Sequence, residues 1–81
     1  MDLKDTVELM TSADYKERFE AEYDQICIRC DKLGKMLAKY KAGELDFTPA
    51  TPIELLERQQ RAMVDYRECL KLRADIEGIE V

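Results

Sequence analysis

The sequence sets an aromatic side chain, Tyr15, beside two cations, Lys16 and Arg18, at the start of a long helical pattern. Free N–H groups at a helix start attract phosphate, and an aromatic ring next to them can stack on a base. Tyr15, Lys16 and Arg18 are therefore first candidates for a nucleotide site. A half-buried tyrosine among solvated charges is the plainer alternative. A second set of cations, Arg58 and Arg61, lies one helical turn apart. Copies of these two around a symmetry axis would converge on an anion. Pairing with Glu54, Glu57 and Asp65 along the same helix is the plainer use of them.

Other chemistry is thin. With no histidine in the chain, acid–base work would fall to carboxylates, Lys or Tyr. Glu17, Glu20, Glu22, Asp24 and Asp31 are spread as solvated helix faces, and no catalytic constellation is visible. The chain is expected not to be an enzyme. Cys27-Ile28-Arg29-Cys30 has CxxC spacing, but a metal site needs two more ligands and only Cys69 remains. A redox motif would sit at a helix start, whereas this one falls mid-helix, so the two cysteines are expected as small core residues. No metal and no cofactor are expected.

Composition bounds these readings. Eighty-one residues allow one domain with a small core, and 38% charged residues with few Gly and Pro suit a helical protein. Thirteen Lys and Arg against eighteen Asp and Glu leave a net charge of −5, which argues against generic DNA binding. No apolar run approaches the roughly 20 residues that span a membrane, and the first residues carry no signal-peptide pattern. Three cysteines, an odd count, argue against a closed disulfide framework and for a reducing compartment, the cytoplasm.

The elements that must position these residues follow from spacing. Leu3, Val7 and Met10 share one face of a short arm over residues 1–10. Thr11 with Asp14 reads as a capping box opening a helix over 12–42. Its seam is Phe19, Tyr23, Ile26, Cys30, Leu33, Leu37 and Tyr40, at alternating steps of four and three. Gly34 either admits a close neighbour or faces solvent. Gly43 suits the left-handed position after a helix end. A loop over 43–51 follows, with Leu45 and Phe47 folding back. Thr51, Pro52 and Glu54 read as a cap, a first helical residue and a completed capping box. The second helix spans 52–77, with a seam of Leu56, Gln59, Met63, Tyr66, Leu70 and Arg73, widened by Leu55, Ala62 and Cys69. Gly78 stops it, with Ile79 making the contact that follows such a stop.

The expected fold class is all-α, a single domain over 1–81: a long antiparallel helical hairpin with a short N-terminal helix. Its helices would be roughly 46 and 39 Å long at 1.5 Å per residue. Such a hairpin buries one stripe per helix, yet Ile28, Met36, Leu55, Val64 and Leu72 lie off the seams. These surplus apolar residues predict a homo-oligomer, in which the N-terminal arm could be exchanged between subunits.

Asp14-Tyr15-Lys16-Glu17-Arg18-Phe19, together with Gln59-Gln60-Arg61-Ala62-Met63, Tyr66, Leu70 and Arg73, resembles small phage and prophage helical-hairpin proteins. These are the crAss-like-phage small proteins related to the hairpin of anti-CBASS and anti-Thoeris sponges. The connection Gly43-Glu44-Leu45-Asp46-Phe47-Thr48-Pro49 is similar to that of prophage relatives, and the likeness covers roughly residues 12–77. It implies a homo-oligomer, with a hexamer as the expected size, in the host cytoplasm. Such a protein sequesters cyclic di- or trinucleotide immune signals without cleaving them. Tyr15 and Lys16 match the family's dinucleotide site, and Arg58 and Arg61 its site around a symmetry axis. The sponges often carry Ala-x-Met-Trp-Ala-Asn in the second helix, where this chain reads Ala62-Met63-Val64-Asp65-Tyr66, without Trp or Asn. A protein-binding helical adaptor or inhibitor of a host protein is the alternative from another class, and a structural oligomer without a ligand is a third.

Overall fold

The computed structural model describes all residues, Met1–Val81. It is all-helical, without strands: a 3-10 turn over Leu3–Thr6 runs into α1, Val7–Met10, followed by α2, Tyr15–Lys41, and α3, Ile53–Glu77. α2 and α3 contain 27 and 25 residues, and the molecule measures 43 × 24 × 17 Å. No helix is long and apolar enough to cross a membrane.

Both long helices start later than their sequence signals. Thr11 does not cap α2, because its hydroxyl donates to the Val7 carbonyl at 2.8 Å and closes the end of α1 instead. Asp14 takes the cap, its carboxylate accepting from the Lys16 N–H at 2.9 Å, and Ser12 Oγ accepts from the Asp14 N–H at 3.0 Å. This Ser12–Asp14 turn moves the helix start to Tyr15. At α3, Pro52 holds the cap position in an extended conformation with no side-chain capping bond, so the Thr51 capping box is not formed. Proline cannot donate an N–H, and its ring fixes φ at a value that leads into the first turn.

The helix ends follow their glycines. Gly43 and Gly78 have φ of 71° and 70°, the left-handed region where a Cβ is strained. The reversals are closed by Glu44 N–H donating to Lys39 O and Ile79 N–H to Ala74 O, both at 2.9 Å. Ile79 is thereby buried against Ala74, Leu70, Phe19 and Ile26.

α2 and α3 touch through residue pairs whose numbers run in opposite senses. Tyr15 bonds Glu77, Tyr66 donates to Glu22, and Gln60 donates to the Cys30 carbonyl. On α2 the buried residues Phe19, Ile26, Cys30 and Leu37 lie on the expected seam and buried Ala21 off it, while Tyr40 at the seam's end is 46% exposed. On α3 the expected phase is wrong at alternate steps. Gln59, Tyr66 and Arg73 are exposed, whereas Gln60, Arg67 and Ala74 turn inward with Leu56, Met63 and Leu70. Polar partners explain the shift: Gln60 finds the Cys30 carbonyl at 3.2 Å, and Arg67 lies 3.9 Å from Asp31.

Gly34 faces this contact. A Cβ there would stand 3.1 Å from Gln60 Nε2, so the glycine makes room for the amide. The N-terminal arm packs on α2 of its own chain. Buried Thr6 accepts from Gln25 Nε2 at 2.9 Å, Gln25 also reaches Met10 Sδ, and Lys32 pairs with Asp2 at 3.3 Å.

Candidate functional site

The Ser12–Asp14 turn presents Tyr15, Lys16 and Arg18 at the start of α2, and the antiparallel approach of α3 brings its last turns beside them. Tyr15 Oη donates to Glu77 Oε1 at 2.8 Å and accepts from Arg73 Nη2 at 2.9 Å. Arg73 also donates from Nε to Glu77 at 3.2 Å, and its guanidinium carbon lies 5.0 Å above the centre of the Phe19 ring. The Tyr15 and Phe19 rings meet at 6.3 Å, tilted by 59°. The result is a small lattice of two rings, a cation and a carboxylate, with the Tyr15 ring still 47% exposed.

Electrostatics tighten this lattice. Desolvation pulls the Arg73 pKa down, but the hydrogen bonds and charges of Glu77 and Tyr15 outweigh it and hold the guanidinium above its ordinary value. Arg73 is a permanent cation fixed over an aromatic face. Spacing alone puts Arg73 on the buried seam and omits Glu77, whereas Arg73 is exposed. The i,i+4 relation of Arg73 to Glu77 is the sequence signal that could have found the pair.

The expected site residues fall into two separate groups. Lys16 is exposed and has no carboxylate partner. Arg18 turns back, donating from Nη1 to the Ser12 carbonyl at 2.8 Å. Of the amides at the α2 start, that of Lys16 is taken by the Asp14 carboxylate, which also sets a negative charge at the cap.

Arg58 and Arg61 lie on the first half of α3, about 18 Å or more along the helix from Arg73 at 1.5 Å per residue, so one chain does not bring them to Tyr15. Both are exposed. Neither makes the expected pairing with Glu54, Glu57 or Asp65, since the ion pairs of the chain are Lys32–Asp2, Arg67–Asp31 and Arg73–Glu77. Of the remaining tyrosines expected in the core, Tyr66 is 42% exposed. Tyr23 is half-buried, and burial together with Cys27 raises its hydroxyl pKa. Cys30 is buried and Cys27 half-buried.

The arrangement offers an exposed ring, fixed and free cations, and carboxylates already committed: Glu77 to Arg73 and Tyr15, Asp14 to the Lys16 N–H, and Glu17 to Ser12.

No curated protein and no solved structure matches the chain. The family model described as Sequestin matches residues 13–76, a span that includes Tyr15, Lys16, Arg18, Arg58, Arg61 and Arg73, and the family's name fits a sequestering protein. With all of α2 and all but the last residue of α3 inside that match, the chain belongs to the Sequestin family.

Proposed function

We propose that this protein captures cyclic oligonucleotide immune signals in the host cytoplasm and holds them uncleaved, as an anti-CBASS-type sponge encoded by a phage. The observation that carries this reading is membership of the Sequestin family across residues 13–76. The likeness of Asp14–Phe19 and the Gln59–Met63 helix to small phage proteins related to the anti-CBASS and anti-Thoeris sponge hairpin supports the ligand class. A base would stack on the exposed face of Tyr15, whose hydroxyl is fixed by Arg73 and Glu77. Lys16 would neutralise phosphate.

The hairpin would act as an assembly unit, with a hexamer as the expected size. Leu55, Ala62, Cys69 and Ile76 recur every seven residues on α3, and all four are exposed. Leu72 adds to this stripe, being 61% exposed, and Ile76 is 85% exposed. A second copy covering the stripe would remove this apolar surface from water. Further copies would bring the unpaired Arg58 and Arg61 together around an axis, suited to a cyclic trinucleotide.

Titration calorimetry of Tyr15→Ala against cyclic dinucleotides tests the stacking role. Loss of base–aromatic stacking, worth about 1–3 kcal/mol, weakens capture roughly tenfold or more, with the assembly unchanged by light scattering. Unchanged affinity removes Tyr15 from the site. The same exposed stripe also suits a protein-binding adaptor or inhibitor. Capture of one host protein by wild type but not by Leu72→Glu, with no nucleotide bound, would favour that second reading.

A further inference from the structure

A ligand-sized groove lies away from Tyr15, at the other end of α2. Lys32, Lys35 and Lys39 stand at i, i+3 and i+7, and so on one face of the helix. The connection after Gly43 folds back over that face, and Met36, Glu44, Leu45, Asp46 and Phe47 complete a groove of about 340 Å³. That volume falls within the range of small-molecule sites, about 300–1,000 Å³.

The groove's chemistry is divided. Lys32 is committed to Asp2 at 3.3 Å. Lys35 and Lys39, one turn apart, have no ion pair. Like charges at this spacing repel, so two unpaired cations are kept together beside an apolar wall. That wall contains Phe47, an aromatic ring left 54% exposed although it borders the groove. Glu44 and Asp46 on the rim carry acceptor oxygens suited to hydroxyl or amino groups.

A free polyphosphate would use the lysines alone and leave the ring and the rim acceptors idle. A lipid chain would not use the lysines. The combination fits a ligand with a flat base, sugar hydroxyls and about two phosphate charges. We propose that the Lys35–Lys39–Phe47 groove is a nucleotide-binding site, with phosphates on the two lysines and the base on Phe47. It stands on the groove's own residues, independently of the capture site at Tyr15.

The test is calorimetric titration of the full chain with ADP and, separately, with pyrophosphate. Wild type binds ADP. Phe47→Ala weakens ADP about tenfold, as loss of a stacking surface does, and leaves pyrophosphate unchanged. Lys35→Gln with Lys39→Gln abolishes both, whereas Lys4→Gln with Lys71→Gln, which removes the same charge elsewhere, abolishes neither. All altered side chains are exposed, and circular dichroism checks that the helices persist. Absence of ADP binding to wild type, or equal loss in the two double variants, overturns the groove. Either result leaves capture of cyclic ligands through Tyr15 to be judged by its own titration.

Discussion

Arg73 Nη2 donates to Tyr15 Oη at 2.9 Å across 58 positions of sequence, joining the last turns of α3 to the first turn of α2. The same guanidinium sits 5.0 Å above the Phe19 ring. One cation therefore ties the helices together and fixes the orientation of the exposed ring proposed to stack on ligand.

Replacing Arg73 by alanine should loosen Tyr15 more than it harms the fold. Phe19 and Leu70 remain packed beneath it, so the melting temperature falls by less than with Leu70→Ala. The latter empties a site that is 1% exposed and costs about 2–5 kcal/mol. Arg73→Lys restores the charge without the planar fork and should not restore the order of Tyr15. Thermal melts paired with the NMR line widths of the Tyr15 ring check both statements.

Gly34 and Gln60 should be energetically coupled. Alanine at 34 gains about 1 kcal/mol of helix propensity, but its Cβ meets Gln60 Nε2 at 3.1 Å. Displacing the amide weakens its bond to the Cys30 carbonyl, a loss of roughly 0.5–1.5 kcal/mol. Gly34→Ala alone should therefore be nearly neutral, whereas Gly34→Ala in a Gln60→Ala background shows the full propensity gain. Urea denaturation of the double-mutant cycle measures the difference, and strict additivity would show that the two sites do not interact.

Asp24 should make stability fall as pH rises. Burial holds its carboxyl pKa above the ordinary carboxylate value, so the folded chain binds this proton more tightly than the unfolded chain. The contribution is fully present below the unfolded pKa and is lost as pH rises through the raised, folded one. Asp24→Asn should accordingly raise the melting temperature at neutral pH, with the gain vanishing in acid where wild-type Asp24 is protonated in both states.

The exposed stripe on α3 should govern assembly. Leu72→Glu combined with Ile76→Glu places charge on positions 61% and 85% exposed in the single chain, so the fold tolerates it. The measured mass should drop toward that of one chain in light scattering. An unchanged mass would move the interface to another face.

The helical class, both glycine stops and the α2 seam were legible because each rests on local spacing. Ile26, Cys30 and Leu37 repeat without a competing pattern, and Gly43 and Gly78 need their left-handed φ. The phase of α3 was not legible, because it depends on partners distant in sequence. Tyr66 reads as more apolar than Arg67, yet Arg67 turns toward Asp31 while Tyr66 reaches out to Glu22. The helix starts misled for a related reason. Thr11 and Thr51 are both good caps in isolation, but Thr11 bonds backward to Val7 and Pro52 takes the cap itself. At the site, Tyr15 and Lys16 were readable as neighbours in sequence. The Arg73–Glu77 support was not, because it arrives only when the two helices pack.

Capture without cleavage is measured by joining binding to recovery of the ligand. The purified protein is titrated with cyclic dinucleotides, cyclic trinucleotides and cyclic ADP-ribose isomers, and each complex is then heat-denatured and its released ligand identified by chromatography. Capture without cleavage gives saturable heat with at least one cyclic nucleotide and quantitative release of the same molecule, intact. Absence of heat with every ligand, or release of a cleaved product, would contradict it.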